Sequence, residues 1–351
     1  MPNLNPEDFT CPLPIMEYET IQLAHGSGGR LSAELVSRFF LPRFGNDTLN
    51  RLEDQAVVAF PQGRLALTTD SFVVDPLFFP GGDIGDLAIN GTVNDVCMSG
   101  ATPLYLAVAF ILEEGLPMTT LHRVLFSMEK AAKIAGVQIV TGDTKVVNRG
   151  CCDKLFITTT GVGLVPEGVN ISAAALKPGD KVILSGSIGD HGMAILTSRE
   201  GLSFASRVQS DTAALNGLVA QMLQASPAIH AMRDPTRGGL ATTLNEFAAS
   251  SGVGIILEEA VIPVRPQVRG ACEVLGIDPM YVANEGKLVA VVPAEVADRV
   301  VAAMRSNSLG REAVIIGEVV AGNPGLVVMR NALGAQRIVD MPVGEQLPRI
   351  C

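Results

Sequence analysis

The chain has 351 residues, of which 48% are hydrophobic and 18% charged, and it carries a formal net charge of -10 at pH 7. These values indicate a compact globular protein that is long enough for two domains. Its Lys and Arg residues are few and scattered, which excludes a nucleic-acid surface, since phosphates are neutralised by clustered cations.

No membrane or export signal is evident. The longest clear apolar run, 104–112, is about half of the ~20 residues that a membrane helix needs. The first twenty residues contain Glu7 and Asp8 but neither Lys nor Arg, which fits neither a secretory nor a mitochondrial signal. We therefore expect a cytoplasmic protein that does not contact a membrane. Its six cysteines include no CxxC pair, so we expect reduced thiols.

Strands and helices alternate along the N-terminal half. The helix predicted at 117–135 has apolar residues at helical spacing, Pro117 near its start and Gly136 directly after its end. The apolar run 104–112 is predicted to be a buried strand. The other elements predicted in this half are a helix at 84–99 and strands at 65–69, 138–141 and 155–165.

A polar stretch interrupted by Gly and Pro, 166–180, indicates a domain boundary. We place one domain at 1–171, a second at 172–339 and a tail at 340–351. In the second domain, helices are predicted at 193–198, 211–224, 239–250 and 294–306, and strands at 181–184, 254–257, 287–292, 313–320 and 326–329. The fold class is therefore α+β, with two mixed domains followed by a tail.

The last residue of the chain is a cysteine, Cys351. A cysteine used for packing lies in a core, whereas chain ends are usually mobile unless something ties them down. Pro342, Gly344 and Pro348 disfavour a helix before it, so the tail is predicted to be an extended arm of roughly 35 Å, at about 3.3 Å per residue. Such an arm can carry a reactive thiol into an active site and withdraw it. The alternative is a surface thiol without function.

Acidic residues flanked by small polar residues stand at the ends of apolar elements: Asp54, Asp70, Asp95 and Asp143. Each alone is explained by helix capping or turn formation. Asp95 is the most informative, because it lies in a helix that is apolar on most of its surface, where an unpaired carboxylate costs several kcal/mol. Lys145 is one candidate partner. Mg²⁺ is the other, since it is typically bound by one or two carboxylates together with substrate phosphates.

Glycine-rich turns at 25–30, 185–192 and 234–239 each precede a predicted helix. Backbone amides at such positions bind anions, although glycine also serves ordinary turns. None has the P-loop pattern GxxxxGK[ST], so P-loop chemistry is excluded. Lys145 and Glu285 are further polar candidates at element ends, and the local sequence around Glu285 by itself favours a solvated turn.

Taken together, several segments resemble the HypE family of carbamoyl dehydratases, which act in NiFe-hydrogenase maturation. They are 25–29, 69–71, 90–96, 141–145, 185–192, 233–239 and the terminal Pro-Arg-Ile-Cys at 348–351. The resemblance covers the chain in order except for about the first twenty residues. It implies the two-domain fold of the superfamily of aminoimidazole ribonucleotide synthetase and selenophosphate synthetase, and a homodimer formed through the N-terminal domain.

The resemblance also implies a reaction sequence on the tail. A carbamoyltransferase, HypF, loads a carbamoyl group onto the Cys351 sulfur. ATP with Mg²⁺ then phosphorylates the carboxamide oxygen, and loss of phosphate leaves S-cyanocysteine, a thiocyanate. The cyanide is passed to iron on a HypC-HypD scaffold complex, where it becomes a ligand of the hydrogenase iron centre.

Site residues follow from the same resemblance. Cys351, Lys145 and Glu285 are predicted to be catalytic, the last two near the carboxamide. Asp54, Asp70, Asp95 and Asp143 match metal and nucleotide positions of the family. The predicted ATP-binding residues are Gly26, Ser27, Gly28, Gly29, Thr69, Ser71, Asn94, Gly142 and Thr144.

Two other functions were weighed. A selenophosphate synthetase carries a reactive Cys or selenocysteine and a nearby Lys at its N-terminal glycine turn, and the turn 25–30 has neither. The other is a non-catalytic scaffold whose tail is a docking peptide. Magnesium-dependent ATP turnover by protein with a carbamoylated tail distinguishes an enzyme from a scaffold.

Overall fold

The computed structural model describes residues 29–35, 37, 49–52, 56–60, 63–199, 208–344 and 349–351. The N-terminal domain is built on a five-stranded sheet with the strand order β1-β2-β7-β5-β6. Its elements are α1 (Gly29–Leu35), β1 (Ala56–Phe60), β2 (Gly63–Phe72), the short pair β3 (Phe78–Phe79) and β4 (Gly82–Asp83), α2 (Ile84–Met98), β5 (Thr102–Glu113), α3 (Met118–Ala135), β6 (Gln138–Val147) and β7 (Leu155–Val165).

Helix α2 is the central element of this domain. Asp83 caps its start by accepting hydrogen bonds from the Gly85 and Asp86 amides, and the Asp86 side chain accepts one from the Asp83 amide in return. All α2 residues except Asp86 and Asp95 are buried. Such a helix is covered on every side, and α2 is covered by the sheet, by α3 and by the C-terminal domain.

The C-terminal domain contains a seven-stranded sheet with the order β14-β13-β10-β12-β8-β11-β9. Its strands are β8 (Lys181–Leu184), β9 (Ala231–Arg233), β10 (Gly254–Glu258), β11 (Val289–Val292), β12 (Val314–Val320), β13 (Val327–Arg330) and β14 (Gln336–Ile338). Its helices are α4 (Asp190–Ser198), α5 (Asn216–Ala225), α6 (Gly239–Ser251), α7 (Pro266–Leu275) and α8 (Ala294–Ser306). Among the described residues, no helix is both long and apolar enough to cross a bilayer.

The expected α+β class with two mixed domains is confirmed, and the predicted boundary near residue 171 lies between β7 and β8. Three of the predicted elements are corrected. The helix predicted from Asp211 begins at Asn216, because Asp211 is instead paired with Lys287. The strand predicted at 138–141 continues to Val147 beside β5. The run 104–112 is only half buried, since Tyr105 and Ile111 on one sheet face are 47% and 41% exposed.

The two domains share a hydrophobic core and a polar link at α2. Val96, Cys97 and Met98 pack in one cluster with Ile183 and Leu288 of the C-terminal domain. The Asn94 side chain is fully buried there: its Nδ2 donates to the Ala213 and Glu285 carbonyls, and its Oδ1 accepts from the Leu215 amide. The side-chain amide of Asn94 is therefore enclosed and bonded to the backbone of the other domain, and its binding of ATP stays a prediction.

We expect Asn94→Ala to lower the free energy of unfolding by about 3 kcal/mol, because it leaves three buried backbone groups unpaired at about 1–3 kcal/mol each with partial relaxation. Denaturant unfolding followed by circular dichroism measures this loss. Asn148→Ala, at an exposed turn position, is the control and should change stability by less than about 0.5 kcal/mol. Equal stability of the two variants would contradict the proposed link.

Candidate functional site

The C-terminal residues 349–351 lie against the segment that follows β2. The Val73 amide donates to the Cys351 carbonyl at 3.0 Å, and the Asp75 amide approaches the Arg349 carbonyl at 3.4 Å. This is the register of an antiparallel strand added to the end of β2. Ile350 is only 5% exposed and belongs to the core cluster of the N-terminal domain. The carrier cysteine proposed from sequence is thus held against the protein.

Charged side chains hold Arg349 in place. Its Nε donates to the Val73 carbonyl at 3.0 Å, and its Nη1 contacts Asp153 at 2.5 Å. Arg199 donates to the carbonyls of both Arg349 and Asp75, at 3.2 Å each. The tail is therefore fixed by contacts on both sides of its backbone.

The thiol of Cys351 is half-buried and lies within electrostatic reach of Arg237, Glu285 and Asp70, a group of side chains that we call the pocket. Burial raises the pKa of the Cys351 thiol to about 12; the charge of Arg237 opposes this increase, whereas Glu285 and Asp70 add to it. In turn, the interaction with Cys351 in its ionised form is the largest contribution to a raised pKa of Arg237. Asp70, Glu285 and Asp95 also raise this pKa. At neutral pH the docked thiol is therefore protonated and weakly nucleophilic.

Glu285 is buried, with 2% exposure, which corrects the solvated turn favoured by its local sequence. Its amide donates to Asp211 Oδ1 at 3.1 Å, and Lys287 Nζ donates to Asp211 Oδ2 at 3.1 Å. Gly286 between them has no room for a side chain, because a Cβ would lie 1.8 Å from the Asp211 carbonyl oxygen. Asp211 therefore fixes the backbone that carries Glu285.

The pKa values of two neighbouring carboxyl groups, Glu285 and Asp211, are shifted in opposite directions. Burial, followed by the charges of Asp234, Asp70 and Asp211, raises the pKa of Glu285 well above its ordinary value. The pKa of Asp211 is lowered, because the raising effect of its burial is outweighed by opposing contributions, among them the charges of Lys287 and His191. Glu285 therefore favours its protonated, neutral form, while Asp211 remains ionised as a structural anion.

Asp70 and Asp95 are the predicted metal residues whose side chains the structure describes. Asp70 is in β2, and Asp95 of α2 accepts a hydrogen bond from Thr68 Oγ1 at 2.9 Å. Both contribute to the raised pKa of Arg237. Within the part of the chain that the structure describes, no group of three His, Cys, Asp or Glu residues is arranged to hold a metal ion. A magnesium ion bound here would need ligands from a nucleotide.

Other predicted site residues lie on the opposite face of the N-terminal sheet. Thr69 and Ser71 alternate with Asp70 along β2 and are exposed. Lys145 is exposed and paired in register with Ile111, an outward-facing residue. Within one chain, the sheet therefore separates Lys145 from Cys351 and Glu285. It also separates Lys145 from Asp95, although Lys145 was a candidate partner of that carboxylate.

The remaining predicted residues are placed as follows. The backbone of β6 places Asp143 beside Ala109 and Thr144 beside Phe110. Gly142 lines an apolar cavity of about 840 Å³ between α3 and β6. Gly29, with φ of 75°, packs against the Pro342 carbonyl at the base of the tail. Gly26, Ser27, Gly28 and Asp54 lie outside the described residues.

Several residues of this site were not singled out from the sequence. They are His191, Arg199, Asp211 and Arg237. His191 and Arg237 lie within the glycine-rich turns at 185–192 and 234–239 that were selected as anion sites, so their position was a usable signal. Asp211 and Arg199 have no local motif, and only the tertiary structure reveals them.

The fold and site match a known class of proteins. Residues 52–165 match the family described as AIR synthase related protein, N-terminal domain, and residues 177–329 match the corresponding C-terminal domain. The chain is 57% identical over 332 residues to the carbamoyl dehydratase HypE of Cupriavidus necator, covering 94% of this chain and 95% of that protein. The HypE of Escherichia coli is 51% identical over 336 residues, covering 94% of this chain and 99% of that one.

Solved structures agree with these relatives. A HypE in complex with ATP superposes with a TM-score of 0.80 at 52% identity and covers 95% of this chain and 100% of that chain. A HypE-HypF complex gives a TM-score of 0.84 at 49% identity, covering 88% and 99% respectively. The chain belongs to the HypE family of carbamoyl dehydratases.

The raised thiol pKa leads to a prediction. At pH 8, native Cys351 should be alkylated by iodoacetamide up to about 10³-fold more slowly than in the unfolded chain, because a pKa of about 12 instead of 9.0 depletes the thiolate. Since the docked thiol retains its proton, docking is fully stable below about pH 9 and weakens as the pH rises towards 12. The protection should decrease over that range.

Mass spectrometry of the separate peptides measures each cysteine. Cys151, which is exposed, is the internal control and should react readily in the native protein. Equal rates for Cys351 in native and unfolded protein at pH 8 would show that the thiol is not enclosed.

Proposed function

We propose that this protein dehydrates an S-carbamoyl group on its own Cys351 to S-cyanocysteine at the expense of ATP, and thereby supplies cyanide for the iron centre of a NiFe-hydrogenase. The observation that carries the proposal is the docking of half-buried Cys351 beside Arg237, Glu285 and Asp70. Intact-mass measurement after incubation with HypF, carbamoyl phosphate and ATP tests it, because loading adds a carbamoyl group and dehydration then removes one water.

The reaction is balanced as follows. The carboxamide oxygen attacks the γ-phosphorus of ATP, the bond to the β-phosphate oxygen breaks, and ADP leaves. The carboxamide nitrogen loses both of its protons, the carbon–oxygen bond breaks, and inorganic phosphate departs with the oxygen. The sulfur remains bonded to carbon throughout, and the product is a thiocyanate. Such a step depends mainly on positioning and charge stabilisation.

Glu285 is the proposed proton acceptor. It is buried, and its charge acts on the Cys351 thiol, so it lies close to the reacting group. Because its pKa is raised, it accepts a proton only after it has ionised. Arg237 provides positive charge beside the same atoms and stabilises the negative charge that develops on the departing phosphate. The N-terminal sheet lies between Lys145 and Cys351 of the same chain. Lys145 would therefore act in this pocket only if it came from a second subunit.

Asp70 and Asp95 fit a magnesium site that is completed by the nucleotide. Both carboxylates influence Arg237 at the pocket, and Mg²⁺ usually takes one or two carboxylates together with substrate phosphates. The ion would neutralise phosphate charge. Asp143 and Asp54 remain predicted contributors to this site.

Loading requires the thiol to leave the pocket. Because the docked thiol has a raised pKa, it is a poor nucleophile towards a carbamoyl donor. We therefore infer that the tail moves to HypF for loading and returns for dehydration, and that it later delivers cyanide to a HypC-HypD complex. A free thiol carrier suits a reducing compartment, so the cytoplasm is the proposed location.

A homodimer formed through the N-terminal sheet explains why predicted residues occur on both of its faces. One face is covered by α2, whereas the other exposes apolar side chains, among them Tyr105, Ile111 and Leu164. Contiguous exposed apolar surface is unusual on a monomer. A second copy would cover it and would bring Thr69, Ser71 and Lys145 into an interface.

Glu285→Gln tests the base. The substitution preserves size and removes the proton acceptor, so we expect loading by HypF to persist while dehydration slows by about 10²- to 10⁴-fold. Quenched single-turnover intact-mass measurements separate the two steps. Glu295→Gln, an exposed substitution on α8, is the control and should behave as the unmodified protein. Dehydration at an undiminished rate would exclude Glu285 as the base.

Asp70→Asn tests the magnesium site. We expect loading to persist and Mg-ATP affinity to fall by about tenfold or more, because the substitution removes one negative charge from the proposed metal ligands. Isothermal titration calorimetry with and without Mg²⁺ measures this effect, and Asp298→Asn on the exposed side of α8 is the control. Identical magnesium-dependent affinities for the two variants would place the ion elsewhere.

A further inference from the structure

All three carbonyl groups of the docked segment 349–351 accept hydrogen bonds. The Val73 amide donates to Cys351, Arg199 Nη2 donates to Arg349, and His191 Nε2 donates to Ile350 at 2.9 Å. His191 is the second residue of α4, and Arg199 directly follows the end of that helix. One helix of the C-terminal domain therefore supplies both of the side-chain donors that hold the tail backbone.

The hydrogen bonds around His191 determine which ring nitrogen carries the proton. A carbonyl can only accept, so Nε2 must carry the hydrogen that points at Ile350. The Ser210 hydroxyl already accepts from the Thr212 amide at 3.1 Å, and it contacts His191 Nδ1 at 2.8 Å. It can thus donate its own hydrogen to Nδ1, which leaves a neutral imidazole with the correct tautomer.

Packing fixes the plane of the ring. His191 is fully buried, and the Phe79 ring lies edge-on to it with 5.5 Å between ring centroids. Burial lowers the pKa of His191, against an opposing effect of the charge of Asp211. The imidazole is consequently a neutral, rigid donor whose position does not depend on a salt bridge.

We propose that His191 is a positioning residue that holds the backbone of the tail in its docked state through the Ile350 carbonyl, with Ser210 selecting its tautomer. Because the contact is made to the backbone, it is the same for a free, carbamoylated or cyanated sulfur. The docked geometry is thereby independent of what the sulfur carries, and each form of the cysteine is held at the same place. The assignment rests on the proposed function only in taking Cys351 as the carrier.

A pair of variants separates the hydrogen bond from packing. His191→Phe keeps a buried ring but removes both nitrogens, whereas His191→Gln retains an N–H near the position of Nε2. Loss of one hydrogen bond should raise the undocked fraction, and with it the iodoacetamide rate at Cys351, by about 3- to 10-fold in His191→Phe. His191→Gln should restore the rate to within about twofold of the unmodified protein.

The measurement is made on the full chain without HypF, ATP or a carbamoyl group, so its outcome is independent of whether the dehydration proposal holds. Rates are resolved by peptide for Cys351 and for the buried Cys97 and Cys272, which report general loosening of the fold. His122→Phe at an exposed position of α3 is the control and should leave every rate unchanged.

Three results would overturn the proposal. The first is an unchanged alkylation rate of Cys351 in His191→Phe. The second is an equal increase in the alkylation rates of Cys97 and Cys272, which would indicate a general structural role for His191. The third is failure of His191→Gln to restore the protection of Cys351. Should His191→Phe not fold, Ser210→Ala removes only the hydroxyl that selects the tautomer. It is expected to raise the Cys351 rate by about 2- to 5-fold, and no increase would likewise overturn the assignment.

Discussion

The short antiparallel pairing of residues 349–351 with 73–75 is the contact that holds the C-terminal segment against the N-terminal domain. It uses backbone groups that directly follow β2, and it places Cys351 beside Arg237 and Glu285. Backbone hydrogen bonds set the direction and register of the tail, and they do not depend on which group is bound to the sulfur.

Desolvation has the same effect on two acidic groups beside the docked tail. Burial favours the neutral form of an acid, so it keeps the Cys351 thiol protonated and gives Glu285 a high affinity for a proton. A protonated thiol is a poor nucleophile, and the same burial favours the protonated carboxyl form of Glu285.

The packing of α2 between the sheet and the second domain gives the site its rigidity. Asn94 bonds to the backbone of Glu285 and of the segment that follows Asp211, while Asp211 pairs with Lys287. The two domains are thus joined beside the tail through buried polar contacts that are costly to break. Asn94 is part of this framework.

The sequence by itself determined the α+β class, most element positions and the HypE family, because periodicity, glycine turns and family motifs are local signals. It could not determine that Glu285 is buried, that Asp211 lies outside a helix, or that the sheet separates Lys145 from Cys351 in one chain. Those facts depend on which faces are covered and on contacts between residues distant in the chain. Desolvation, hydrogen-bond partners and charge proximity exist only once the two domains and the tail have packed together, and for that reason the tertiary structure alone decided them.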